Sequence, residues 1–462
     1  MPTPSETSGG AGGGEGSADV GNGREAEGVS RLEDLVGMID LDASGSRTAS
    51  STHGTTNSGG EGRTDAERFA EIQGDVIGHK ELIATPFGKK AMLYADWAAS
   101  GRALASVETF IAKTVLPLYG NTHTSTSACG LQASCFRAEA RQIVARFANA
   151  RVGYSDQNAD VVVFAGAGTT GAVNKLRAVL GLHIPLPPGT PDSLRPVVIV
   201  GPHEHHSNIL PWRESAAKVL TVSEDENGNI DMSSLAAALS QASGAPLVIG
   251  TFCAASNVTG VVADVDAVTE MLHRHGALAF WDYASAAPGG VPIDMNPVRM
   301  GRDGVLNPYV YKDAIFLSPH KFPGGVSTPG VLIAKRRLFS NAVPAEPGGG
   351  TVFFVTPEDH RYLSGRDERE EAGSPDTVGA IRAALALRLA ALLPAGAIEA
   401  AEASIAQRVH AALASHPRVS LLGPPLLPNF LPNHEQHATP ARLAIVSLLI
   451  RAPELSGENE EG

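Results

Sequence analysis

VVVFAGAGTTG, residues 161–171, is the stretch on which the reading of the fold turns. Its first half, VVVFA, is an unbroken apolar run rich in valine, and its second half is a glycine turn that opens a segment of helical spacing. A strand without polar alternation is buried on both faces, which is the habit of parallel sheets flanked by helices. The rhythm repeats downstream: VVIV (197–200), KVLTV (218–222), PLVIGTF (246–252), ALAFWD (277–282), AIFL (314–317) and GVLIA (330–334). Helical patterns such as MSSLAAALSQA (232–242) and DAVTEMLHRHG (266–276) separate several of these runs. Strands alternating with helices predict βαβ units and an α/β fold, with a mostly parallel, seven-stranded-type sheet and helices on both faces.

Outward from that body the composition changes. Residues 1–62 hold 15 glycines and no aromatic residue, and the first aromatic is Phe69. Such a segment cannot offset its chain entropy by burial, so residues 1–65 are expected to be disordered, with at most a short helix at 31–42. A large domain is expected over 66–395. Helix patterns at 376–393 and 397–415, then RVSLLG (418–423) and RLAIVSLLIR (442–451), predict a small C-terminal α+β lobe with an acidic tail over 396–462. One or two strands close such a lobe poorly, so it is expected to be incomplete.

The 462 residues carry 36 basic and 49 acidic side chains, a net charge of −13, which argues against a general nucleic-acid binder. Three cysteines, none in a CxxC pair, make neither a disulfide framework nor a structural zinc site. The most apolar stretch, 377–401, is broken by Arg382, Arg388 and Pro394, so no membrane span is expected. With no signal or transit pattern, a cytoplasmic protein is the expectation.

In open α/β sheets function sits at the carboxyl ends of the strands. Here those ends run into GAGTTG (166–171), GPHEHHSN (201–208), CAASNVTG (253–260), Asp282 and SPHKFPGG (318–325). GAGTTG fits a dinucleotide fingerprint, but the first acid after the next strand is Glu204, well beyond the ~20 residues such a site requires. Backbone N–H groups of 168–170 and the two threonine hydroxyls suit a single phosphate, and a tight turn without a ligand is the plainer alternative. Asp282 ends an apolar strand and needs a donor or cation if buried. Lys321 follows another strand end. A lysine kept partly unprotonated can form a Schiff base, although most lysines lie on the surface. His203, His205 and His206 lack matching partners for a metal, and an imidazole stacked on a flat ring is the better functional reading. Asn257 is either a donor to a cofactor oxygen or a turn residue. A phosphate cradle, an aspartate for a ring nitrogen, a stacking imidazole, an amide donor and a lysine for an aldehyde together describe pyridoxal 5'-phosphate.

The chain from about 85 to 450 resembles the class V aminotransferases, fold-type I enzymes that include cysteine desulfurases and selenocysteine lyases. The matching strings are LYADWAASGR (93–102), YGNTHTS (119–125), AGTTGAVNKL (167–176), EHHSNILPW (204–212), SNVTG (256–260), WDYASA (281–286), SPHKFPGG, PGGGTV (347–352) and EEAGSPD (370–376), in family order. The resemblance implies that Lys321 carries the cofactor, Asp282 partners the pyridine nitrogen and His205 stacks on the ring. It implies Asn257 as a donor to the phenolic oxygen, and Thr169, Thr170, Ser318 and His320 as phosphate ligands. Ser374 matches a position that reaches the neighbouring subunit's phosphate, which implies a homodimer with shared sites. Asn121 and His123 match a loop near the substrate mouth.

Departures from the family pattern matter equally. Ser285 stands where the family usually has Gln. Cys129, Cys135 and Cys253 all precede Lys321, and none matches the mobile loop that carries a desulfurase's persulfide cysteine. Neither Arg442 nor Arg451 can be assigned the family's carboxylate clamp. The leading expectation is transamination or elimination on an amino-acid substrate, with little sulfide release. Desulfurase-type C–S cleavage and a non-catalytic cofactor-binding relative are the alternatives.

Overall fold

A computed structural model of the chain describes residues 65–124, 126–153, 156–301, 304–393, 397–424 and 442–452. The expectations for residues 1–64, including the helix at 31–42, and for the acidic tail lie outside them. The described chain opens with helix α1 (Asp65–Asp75) and an exposed hairpin of β1 (Leu82–Thr85) and β2 (Gly88–Ala91). Helices α2 (Ala105–Phe110) and α3 (Ala128–Phe147) follow. The expected alternation then unfolds: β3 (Asp160–Ala167), α4 (Gly168–Val179), β4 (Val197–Val200), α5 (Leu210–Arg213), β5 (Lys218–Thr221), α6 (Met232–Gln241), β6 (Val248–Cys253), α7 (Val265–Arg274), β7 (Leu278–Asp282), β8 (Ala314–Leu317) and β9 (Pro329–Lys335).

All seven runs join one sheet, in the order β3-β9-β8-β7-β6-β4-β5. Strand β9 is antiparallel to both neighbours, and every other pairing is parallel. Because side chains alternate, successive residues of each strand enter different cores. Val162, Ile199, Phe252, Trp281, Ile315 and Ile333 pack beneath α6, α7 and part of the long helix described below, with Leu235, Leu239, Val268 and Leu272 above them. Val163, Val198, Ile249, Phe280, Phe316 and Leu332 pack against Ala172, Val173 and Leu176 of α4. Helices therefore cover both faces, and the apolar continuity of the strands follows from that.

Beyond the sheet lie a second hairpin, β10 (Val352–Val355) and β11 (His360–Tyr362), then α8 (Arg366–Arg369) and α9 (Thr377–Leu392). Helix α9 is apolar nearly all round, as a helix packed on several sides must be. It shares one core with Val107 and Phe110 of α2 and Phe136 of α3, and Asp376 caps its start by accepting from Gly379 N at 2.8 Å. The loop before it is pinned from below: the Glu371 carboxylate accepts from Phe164 N at 2.6 Å, from Arg141 at 2.9 and 3.0 Å, and from Arg137.

Helix α10 (Ala397–Ala414) leads to a two-stranded antiparallel pair, β12 (Val419–Leu421) and β13 (Leu448–Ile450). The run at 442–451 is thus a strand over three residues only. Its first part is captured by the main body instead. Leu443 N donates to Gly260 O at 2.8 Å, and Ser447 Oγ donates to Val258 O at 2.7 Å. Gly260 has φ +75°, and a Cβ there would lie 2.8 Å from Leu443 O, so only glycine permits this close approach. Among the described residues, no helix is long and apolar enough to cross a membrane.

Candidate active site

Parallel pairing sets the carboxyl ends of β4, β6, β7 and β8 along one sheet edge, and the end of β3 and the start of β9 reach the same edge. A cavity of about 490 Å³ opens there. Thr169, Thr170, His205, Asn257, Asp282, Ser285, Ser318, His320 and Lys321 all line it. The turn from β3 into α4 needs its glycines: Gly166 and Gly168 have φ +42° and +52°. A Cβ on Gly168 would lie 2.9 Å from His320 Cε1 and 3.0 Å from Ser318 Oγ, so the turn lies flush against the 318–321 segment. Across that contact Thr169 N donates to Ser318 Oγ at 2.9 Å.

Asp282 is 3 % exposed at the end of β7. Its Oδ1 accepts from Ala284 N at 2.9 Å and Thr169 Oγ1 at 3.1 Å, and among the described residues no hydrogen bond falls on Oδ2. Burial pushes its pKa up, and the Ala284 amide, Lys321 and Thr169 only partly oppose this. Burial also lowers the pKa of Lys321, against the pull of Asp282. It lowers His320 too, with Lys321 adding to the effect. His205 is lowered by burial, Lys321 and His206. The site thus holds neutral imidazoles, a lysine with an increased free-amine fraction and a carboxylate short of donors.

Sequence reasoning gave two further residues no role in the site. Glu204 is buried, and burial raises its pKa to about 8. It accepts from Asn208 Nδ2 at 2.6 Å and Cys253 N at 2.7 Å, and so ties the end of β4 to the end of β6. Asn208 in turn accepts from Trp212 Nε1 and Thr251 Oγ1. Ser207 lines the cavity between Thr170 and His205. Glu204 sits in the sequence as an acid in a polar loop, and only the tertiary contact with β6 marks it.

The model of the aminotransferase class-V family matches residues 93–430. The chain belongs to this family. A probable cysteine desulfurase of Pyrococcus abyssi is 28 % identical over 292 residues, covering 62 % of this chain and 64 % of the relative. Another, of Chlamydia muridarum, is 34 % identical over 233 residues, covering 49 % of this chain and 51 % of the relative. The chain thus spans less than two thirds of either curated relative. The apo structure of a cysteine desulfurase from Thermococcus onnurineus NA1 superposes with a TM-score of 0.63 at 23 % identity, covering 84 % of this chain and 82 % of that one. At that identity the likeness shows the fold.

Three expected site residues of this class-V chain lie apart from the cavity lining. Asn121, His123 and Ser374 are exposed. They gather on one surface: Asn121 Oδ1 accepts from His123 N at 3.2 Å, and His123 Nε2 bonds Gly373 O at 2.7 Å. A Cβ on Gly350 would strike the His123 ring, so the PGGGTV segment closes the same cluster. Cys129 and Cys135 lie within α3, away from the lining. Cys253 does line the cavity, but its Sγ donates to His203 O at 3.2 Å. Burial, Glu204 and Asp282 push its thiol pKa well up. His203 Nε2 bonds Gly228 O at 2.7 Å, and the ring contact among the three histidines is between His205 and His206.

Proposed function

We propose that this chain is a pyridoxal-phosphate-dependent enzyme that acts at the Cα of an amino acid. One observation carries the reading: a carboxylate 3 % exposed, short of donors on one oxygen, shares a cavity with a partly buried lysine and a hydroxyl-lined glycine turn. That donor set suits the cofactor. Thr169, Thr170, Ser318 and His320 would hold its phosphate, Asp282 Oδ2 would accept from the protonated ring nitrogen, His205 would lie against the ring and Asn257 would donate to the phenolic oxygen. Ser285 is short for a direct contact and would act through water. The cofactor supplies an electron sink for charge developing at Cα. Lys321 Nζ, with its free-amine form favoured by burial, would anchor the cofactor and would accept the Cα proton. Asp282 would hold a proton on the ring nitrogen.

The relatives favour a second reading, cleavage of a C–S bond. Sulfur transfer needs a thiolate acceptor. Cys253 is held as a thiol, and Cys129 and Cys135 lie outside the cavity, so the acceptor would be an external thiol. The surface formed by Asn121, His123 and Ser374 supports a homodimer in which a second copy completes each site, and Leu116, Tyr119 and Phe354 are further apolar side chains left exposed.

The test is a panel of amino acids added to the cofactor-loaded chain, with absorbance, oxo acid, alanine and sulfide recorded. The reading expects an absorbance change with at least one amino acid, and little sulfide from L-cysteine unless an external thiol is present. No response to any amino acid contradicts it. Strong thiol-independent release abolished by Cys253→Ser would overturn the assignment of the acceptor.

A further inference from the structure

The turn after β4 sets three polar groups in a row. Ser207 N donates to His205 Nδ1 at 3.2 Å, so Nδ1 carries no proton and the neutral ring holds its hydrogen on Nε2. Ser207 Oγ lies 3.0 Å from the same Nδ1. An unprotonated nitrogen accepts, so the Ser207 hydroxyl donates to it and has no proton left. Its other neighbour is Thr170 Oγ1 at 2.7 Å, which must therefore be the donor to Ser207. The order is fixed: Thr170 to Ser207 to His205.

A phosphate oxygen that bears no proton accepts and does not donate. When it takes the Thr170 proton, the contact at 2.7 Å persists only if Ser207 turns its own proton toward Thr170. Nδ1 is then left with the backbone donor alone.

We propose that Ser207 is a positioning residue of this site, its hydroxyl coupling anion occupancy at Thr170 to the hydrogen bonding of the His205 imidazole. The inference rests on the proposed function only in taking the cradle as a phosphate site. Ser207 touches neither of the reacting groups. It sets how tightly the ring that lies against the cofactor is held when phosphate is present, and each hydrogen bond it makes is singly available. Thr170 and His205 thus share one proton donor between them, and a site with Ala at 207 would lack the link while keeping the backbone contact.

The experiment uses the full-length apoprotein, labelled with ¹⁵N, and inorganic phosphate as the probe. In the wild type, phosphate shifts the Thr169 and Thr170 amides and moves the His205 Nδ1 resonance toward that of an unbonded imine-type nitrogen. Ser207→Ala keeps the Nε2–H tautomer through the backbone N–H but loses the phosphate-dependent movement of Nδ1. Thr170→Val, with Ser207 intact, loses it as well. Equal movement in Ser207→Ala overturns the inference, as does a wild type whose Thr169 amide responds while Nδ1 does not. A wild type in which neither amide responds overturns the phosphate cradle itself, and with it the cofactor reading.

Discussion

Replacing Asp282 by Asn moves apoprotein stability and cofactor affinity in opposite directions. Asn keeps the shape of the side chain, and its amide oxygen can still accept from Ala284 N and Thr169 Oγ1, now at 2.9 and 3.1 Å. What disappears is a buried charge. Burial raises the Asp282 pKa, and an acid raised in the folded state costs stability as pH rises from its unfolded value through its folded one. As pH rises past 3.8 the wild-type apoprotein takes on that cost, so Asp282→Asn melts higher above that value. The difference closes below the ordinary value of 3.8, where both side chains are neutral. Cofactor binding falls. A hydrogen bond to an ionised acceptor is worth about 1.5–3 kcal/mol, which corresponds to roughly ten- to a hundredfold weaker binding. Turnover falls by orders of magnitude, because a neutral pyridine is a poor electron sink. Calorimetric melting of the apoprotein at several pH values, beside a fluorescence titration with pyridoxal phosphate, reads both effects. An apoprotein that melts lower, together with unchanged cofactor affinity, would refute the reasoning.

Glu371→Leu strands two guanidiniums whose side chains are 10 and 11 % exposed, together with the Phe164 N–H. Breaking a buried ion cluster costs about 3–5 kcal/mol, a large share of a typical domain's stability, and urea unfolding measures it. Burial alone would raise the Glu371 pKa, but Arg141 and Arg137 outweigh it and lower the carboxyl below 4.5. Its contribution is therefore full above pH 4.5 and lost as pH falls through the lowered value, so the wild type loses stability in acid where the variant's curve is flatter. Thr169→Ala with Thr170→Ala should lose the cofactor more completely than Asp282→Asn, as equilibrium dialysis would read. Sedimentation of the loaded chain should give a dimer; a monomer that retains cofactor fully speaks against shared sites.

The sheet was legible because its strands are buried on both faces. VVIV and AIFL match β4 and β8 residue for residue, and there each side chain enters one of the two cores. The hairpins were not legible. LIAT and GKKA in β1–β2 are short and exposed, and neither burial nor alternation marks them. β10–β11 is similar: its apolar VFFV is mostly exposed. The run at 442–451 divides its apolar residues between two partners, the 258–260 loop and β12, and only the second makes a strand. At the cavity, residues at strand ends were readable since parallel topology gathers them. Glu204 and Ser207 were not, because their importance lies in whom they touch: the Cys253 amide for one, Thr170 and His205 for the other.

Borohydride reduction of the full-length chain in the presence of pyridoxal phosphate, followed by proteolysis and mass mapping, tests the central claim most directly. Reduction fixes the cofactor on whichever lysine holds it. The account predicts the added mass on Lys321 within the SPHKFPGG peptide, and its loss, together with the bound visible absorbance, in Lys321→Ala. Cofactor fixed on another lysine, or none retained by the wild type, would contradict it.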